Sequence, residues 1–440
     1  MPGTSDQGAA AASIAKARAR DCARRQVAPG FRRNRFKKRK STMRNGGNRA
    51  GEIRVALVWH AFGHANLGVD ALSRANASIV EAAAARVGCD VRLVTIDFGQ
   101  KPYVDDLPST VEIGPEPSLK QILQGQSRFL SVLRSCDLAI DIGEGDSFTD
   151  IYGLRRFITL TGSKVASLFF GHPLILAPQT IGPFDNRLRR WIAARVLDRA
   201  AAVYTRDRLS TEFVASLGAT GPRDEFIDVA FRLPFTRRAK ANDRIRIGIN
   251  VSGLLYHGGY TGGNELGMSL DYAALTERLA TYFLSLEGVE VHLFAHVAGG
   301  GGRDDDAPAI ADLAARLPGV EVAPVFASSV HAKSWMSGLD FVVAGRMHAC
   351  IGAYSAGVPV APIAYSRKFN GLFKTLDYPY FIDGKVTATA EAFAKITRWF
   401  ERRDELAAAI EASRSLIDER LQHYEDSIAA HLASVMRRRS

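Results

Sequence analysis

Residues 342–372 read VVAGRMHACIGAYSAGVPVAPIAYSRKFNGL. An apolar strand runs into Gly345-Arg346-Met347-His348. A helix of small residues follows, then a second apolar strand, then Tyr365-Ser366-Arg367-Lys368. Two apolar runs joined by a helix are the signature of a parallel β-α-β unit, buried on both faces. Arg346 and His348 then stand where the first strand ends and the helix opens. Unpaired N–H groups and the positive end of the helix dipole favour an anion there.

The same alternation extends outward in both directions. IRVALVW (53–59) and VRLVTID (91–97) read as buried strands, and the segment between them has helical spacing and stops at Gly88. LAIDI (138–142), LILA (174–177) and AVYT (202–205) continue the series. FRLPFTRRAKANDR (231–244) breaks it, with a proline, several cations and no period. IRIGIN (245–250), VEVHLFA (289–295), VEVAP (320–324), DFVVAG (340–345) and PVAPIAY (359–365) form a second series. The pattern predicts an α/β chain with two doubly wound parallel-sheet, Rossmann-like domains and a cleft between them. The expected boundaries are 51–235 for the first domain, 236–244 for a linker, 245–387 for a second domain carrying the Arg-x-His pair, and 388–440 for C-terminal helices.

The chain has 440 residues, enough for two domains, with 47% hydrophobic and 23% charged residues. Its net charge of +11 is local. Residues 1–50 hold 14 Lys/Arg and 2 Asp/Glu, whereas the remainder has 43 basic and 44 acidic residues. The near-neutral body argues against a nucleic-acid partner. The tail, which includes FRRNRFKKRK, has no apolar period and is expected to be disordered. It reads first as an over-long start preceding Met43, and second as a tether to anionic lipid or nucleic acid. No signal-peptide core or membrane span is visible. Cys22, Cys89, Cys136 and Cys350 have neither metal-ligand nor disulfide spacing. The expected location is the cytoplasm, with peripheral contact at the inner membrane face left open, as is the oligomeric state.

Arg346 alone reads as a carbonyl cap, and His348 alone as a packed ring. Three features shift the balance toward an anion site. Lys368 follows the next strand at the same sheet edge. Arg206 follows AVYT, with a local pair to Asp207 as its plainer reading. Gln179 and the Gly182-Pro183 turn follow LILA. Glycine loops 60–72 and 141–153 close two strands and offer Asn66, Asp70, Gly143, Gly145 and Asp146 to the cleft, or serve as ordinary punctuation. A GxxxxGK[ST] loop is absent. The aspartates of HVAGGGGRDDD (296–306) read as a helix start at Asp305 or Asp306 rather than a metal site. His296, at its strand end, is a further candidate to face the cleft; His292 is a strand residue without a catalytic task.

In order and spacing, NLGVDAL, DIGEGDSFTD, APQTIGPF, TRDRLS, IDVAF and the Arg-x-His block resemble the polysaccharide pyruvyl transferase family over most of residues 53–380. Val69 and Glu144 depart from its pattern. The resemblance implies a GT-B-like fold and transfer of a pyruvyl unit from phosphoenolpyruvate to a sugar acceptor as a cyclic ketal, without metal or organic cofactor. It implies His348 as general acid/base and Arg346, Arg206 and Lys368 as donor-binding cations. Two other readings stand beside it: a glycosyltransferase with a nucleotide-sugar donor, and a non-catalytic cleft for anionic glycan.

Overall fold

The computed structural model describes residues 51–98, 106–118, 121, 124, 126–145, 148–218, 221, 223–239 and 243–439. The basic tail and Asp146 lie outside them, as does the side chain of Arg367. Residues 50–440 form one unit built on two all-parallel sheets.

The first sheet contains β1 (Ile53–Val58), β2 (Val91–Ile96), β3 (Val111–Ile113), β4 (Leu138–Asp141), β5 (Leu174–Gln179), β6 (Ala202–Thr205) and β7 (Arg223–Glu225), in the order β3-β2-β1-β4-β5-β6-β7. Its helices are α1 (Leu67–Val87), α2 (Arg128–Ser135), α3 (Leu154–Phe169), α4 (Arg187–Arg199) and α5 (Arg208–Ser216). The second sheet contains β8 (Ile245–Asn250), β9 (Val289–Phe294), β10 (Glu321–Val322), β11 (Phe341–Ala344), β12 (Val360–Ala364) and β13 (Ile382–Asp383), in the order β10-β9-β8-β11-β12-β13. It carries α6 (Gly253–Tyr256), α7 (Tyr272–Leu284), α8 (Asp306–Arg316), α9 (Ser329–Met336), α10 (Met347–Ser355) and α11 (Arg367–Thr375). α12 (Thr389–Glu401), α13 (Arg403–Ala412) and α14 (Arg414–Arg439) close the chain.

The long strands are apolar on both faces because helices cover both. One face of the first sheet packs Val55 and Leu57 on α1, and this core runs without a break into the second half. The opposite face buries Ala56, Val58 and Leu176 beneath Phe157 of α3 and Leu197 of α4. α14 returns to the first half, where the Tyr424 hydroxyl donates to Asn76 Oδ1 of α1 at 2.8 Å. The VEVAP reading shrinks to the two residues of β10. β3, β7 and β13 went unread: VEI, RDE and ID are short and polar, and end or flank their sheets, so they carry little apolar pattern.

Each sheet reverses its winding direction once, between β1 and β4 and between β8 and β11. Ligands of such sheets bind beyond the carboxyl ends of strands flanking the reversal. The two reversals are stitched together. Leu67 N–H donates to the His296 carbonyl at 3.0 Å, and Ala298 N–H to that of Ala65 at 3.0 Å. Asp70 Oδ2 accepts from Ser329 N–H at 2.8 Å and from its hydroxyl at 2.6 Å.

Candidate active site

α10 opens directly at the end of β11, which places His348 in its first turn against the other half of the molecule. Gly68 lies against this ring: a Cβ there would come 2.4 Å from His348 Nδ1. A Cβ on Gly145 would come 3.8 Å from Cε1. His348 Nε2 stands 3.8 Å from Asp228 Oδ2 and makes no hydrogen bond. Burial lowers the His348 pKa, Asp228 raises it, and Arg206 and Lys368 lower it further, leaving it at about 4. The imidazole is therefore neutral near pH 7, with one unpaired nitrogen in the cleft.

Arg206 closes the other side of Asp228. Nη1 donates to Asp228 Oδ2 at 2.6 Å and Nε to the Thr180 hydroxyl at 3.1 Å, while Nη2 is buried without a partner. The local Arg206–Asp207 pair is not formed. Asp207 instead caps α5, accepting from Ser210 N–H at 2.8 Å. Asp228 was the missed residue. It is the second residue of IDVAF, which follows β7, and β7 is too short and polar to be recognised as the strand that places it.

Gln179 closes β5. Its amide nitrogen donates to the carbonyls of Asp141 at 2.9 Å and Ala177 at 3.2 Å, which leaves Oε1 buried and unpartnered. Gly143 and Gly145 flank it in a tight turn with φ of +65° and +76°. A Cβ on Gly143 would lie 2.9 Å from Gln179 Oε1. The turn is fixed from below, because Asp141 accepts from Gly143 N–H at 3.1 Å and from Lys164 at 3.0 Å through each oxygen. Glu144 also has positive φ and pairs with Arg156 at 2.8 Å. Ser366, beyond β12, presents another buried hydroxyl without a partner. Lys368 is half-buried and acts electrostatically on His348.

Three readings change. Arg346 caps α10 and does not reach into the cleft unpaired. Nε and Nη2 bind Asp306 Oδ1 at 3.1 and 2.6 Å, and Nη1 binds Asp304 Oδ1 at 2.7 Å. Burial opposes its charge, but Asp306 and Asp304 outweigh burial and hold it above the usual range. Asp70 is filled by protein donors: Gly63 N–H, Arg74 and Ser329. Asn66 is the N-cap of α1, accepting from Gly68 N–H at 2.9 Å. All three are held by groups of the protein itself. The aspartate run does start a helix at Asp305, the N-cap of α8. His296 is buried beside His348 and Arg346; burial first, then these neighbours, lower it to about 3. Among the described residues, no cluster of three His, Cys, Asp or Glu is arranged to hold a metal.

The sequence model of the family described as polysaccharide pyruvyl transferase matches residues 29–367. This chain belongs to that family. No curated protein matches this chain. Its fold is similar to that of Anabaena HepE, solved in complex with UDP-glucose, at 12% identity over 87% of this chain and 100% of that one, with a TM-score of 0.50. It is also similar to sucrose-phosphate synthase of Thermosynechococcus elongatus, at 12% identity over 88% and 98%, with a TM-score of 0.50. These are GT-B glycosyltransferases, and the architecture of this chain is GT-B-like. At this identity the likeness is one of fold. Membership supports a role in pyruvyl transfer for polysaccharide biosynthesis. Among the described residues, no helix is long and apolar enough to cross a membrane.

Proposed function

We propose that the enzyme moves the enolpyruvyl carbon unit of phosphoenolpyruvate onto two hydroxyls of a sugar, forming a pyruvate ketal and releasing phosphate. One observation carries this reading. Arg206 Nη2, Gln179 Oε1, His348 Nε2 and Ser366 Oγ are buried at the carboxyl ends of strands from both sheets and lack partners. Buried polar atoms left unpaired are costly, so a polar ligand is the expected partner. The set offers a guanidinium donor, a hydroxyl and a neutral imidazole, with Lys368 close by. It suits a small, strongly anionic molecule that also needs proton transfer.

The chemistry follows from the balance of atoms. The methylene of the donor gains one proton and becomes a methyl group. One sugar hydroxyl loses its proton and bonds to the adjacent carbon. The second hydroxyl replaces phosphate at that carbon, and its proton leaves with the phosphate. His348 is the proton carrier: protonated it gives to the methylene, and neutral it takes from a hydroxyl. Asp228 steadies the imidazolium. An imidazole with a pKa of about 4 is a poor acid source near neutral pH. Bound phosphoenolpyruvate, placed beside it, raises that value by opposite charge. The donor thus arms its own acid. Arg206 and Lys368 balance the donor's carboxylate and phosphate.

Calorimetry with phosphoenolpyruvate, followed by phosphate release with sugar acceptors, tests this. His348→Ala is expected to bind the donor and release no phosphate. Binding of UDP-glucose without any binding of phosphoenolpyruvate would replace pyruvyl transfer with glycosyl transfer.

A further inference from the structure

The outer face of the first half is unusual in its surface. Along α3, Leu154, Ile158, Val165 and Phe169 are all exposed. Their successive spacings of four, seven and four residues put them in one stripe on the side away from buried Phe157 and Leu160. Phe169 is 82% exposed. Ile151 and Tyr152 extend the stripe ahead of the helix, and Leu188 and Trp191 of α4 widen it, Trp191 being 57% exposed. α3 and α4 pack side by side over the same sheet face, with Arg189 of α4 lying 5.9 Å from the Phe157 ring.

The charges on these helices are almost all of one sign. α3, LRRFITLTGSKVASLF, contains no acidic residue. α4, RLRRWIAARVLDR, has five arginines and one aspartate. Arg155, Arg187, Arg195 and Arg199 are exposed, and Arg195 lies over the Trp191 ring at 5.6 Å. Asp150 is taken by Arg189 at 3.4 Å, and Asp185 is an exposed acid beside the face. An apolar stripe with a tryptophan, bordered by arginines, matches the boundary layer of an anionic bilayer. Acyl chains take the apolar side chains, and headgroup phosphates take the guanidinium groups. A nucleic-acid partner would match the arginines and leave the apolar stripe without a counterpart.

The position of the face adds a third argument. α3 follows the cleft loop at once, and its Arg156 pairs with Glu144 inside that loop. Tyr152 comes within electrostatic reach of Tyr365 at the end of β12, across the cleft. A membrane touching the stripe therefore borders the cleft mouth.

We propose that the face formed by α3, α4 and residues 151–152 docks the protein onto anionic phospholipid, with Phe169 and Trp191 inserted at the headgroup boundary. This goes beyond pyruvyl transfer and is independent of it, since lipid binding needs neither donor nor acceptor. Full-length protein is titrated with vesicles of phosphatidylcholine alone and of phosphatidylcholine mixed with phosphatidylglycerol. Of the four tryptophans, Trp59 and Trp335 are buried, and Trp191→Phe isolates the signal of Trp191. The expected result is a blue-shifted emission with anionic vesicles that disappears in Trp191→Phe. Phe169→Ser should weaken binding roughly tenfold, the transfer cost of one inserted aromatic ring. Vesicle binding with no Trp191 response and no effect of Phe169→Ser would assign it to the basic segment 1–50 and overturn the proposal. So would a dimer in sedimentation equilibrium that Phe169→Ser dissociates, since a second copy would then cover the face.

Discussion

Arg206 and His348 meet at a single oxygen, Asp228 Oδ2, at 2.6 and 3.8 Å. That shared carboxylate raises the His348 pKa, but burial, with Arg206 and Lys368, outweighs it and leaves the imidazole neutral. An incoming anion reverses the balance and makes protonation of His348 favourable. Two outcomes follow from the sign. In the free protein the pKa is about 4, and a bound anion beside the ring should raise it. Donor binding should therefore take up protons, and affinity should fall as pH rises between the two values, by up to about tenfold per unit. Calorimetry in buffers of different ionisation enthalpy reads the uptake directly, and His348→Ala should abolish it. Equal heats in all buffers would mean that His348 stays neutral and cannot be the acid. Arg206→Lys keeps a charge on Asp228 but removes the unpaired Nη2. It should weaken donor binding by about 1.5–3 kcal/mol, the value of one hydrogen bond to a charged group.

At the scale of elements, the site is a meeting of two helix starts, α1 and α10, each at the winding reversal of its sheet. Gly68 in the first turn of α1 is what allows them to meet. A Cβ there would lie 2.4 Å from His348 Nδ1, yet the backbone is ordinary helix, in which alanine is favoured over glycine by up to about 1 kcal/mol. Gly68→Ala should displace the imidazole, with phosphate release falling by more than about a hundredfold for a misplacement near 1 Å. A normal rate in this variant would mean that the ring moves freely without loss. The elements themselves were legible in the sequence because buried parallel strands are apolar throughout, and because Gly88, Asp305 and the segment after Phe231 interrupt the helices and strands as their chemistry requires. His348, Arg206, Gln179 and the Gly143–Gly145 turn were legible by position, each standing at a strand end. What could not be read was pairing. Nothing near Arg346 in the sequence indicates that Asp304 and Asp306, some forty residues earlier, fill its guanidinium. Nothing near Asp70 announces Ser329. Contacts between the two halves depend on how the sheets dock, and a strand-by-strand reading carries no information about that.

For the whole molecule, the same docking buries ionisable groups that shape stability against pH. His60 is enclosed between the Val58 carbonyl and Asn76, and burial lowers it to about 3; His296 reaches a similar value beneath the stitched loops. Both have folded values below the unfolded 6.5, so their contribution is complete above pH 6.5 and is lost as pH falls toward 3. Together they should cost about 2 kcal/mol on going from pH 6.5 to 5.5, measurable by urea unfolding. The alkaline side has a different source. Lys333 of α9 is buried against the segment joining the two sheets. Its ammonium donates to the Leu233 carbonyl at 2.8 Å and the Phe231 carbonyl at 3.4 Å and lies over the Phe235 ring. Burial lowers it to about 7. Its unfolded value is near 10.4, so the unfolded chain binds more protons between the two, and stability should rise with pH across that window. Buried Cys136, held up at about 12, and Cys350, held well above its usual range, pull the opposite way once unfolded thiols ionise. The difference between wild type and Lys333→Met removes that background. From pH 7 to 9 the wild type should gain about 2 kcal/mol relative to Lys333→Met. A constant difference would mean that Lys333 keeps its proton at the junction, and that its two carbonyl partners and the aromatic ring compensate for burial without a carboxylate.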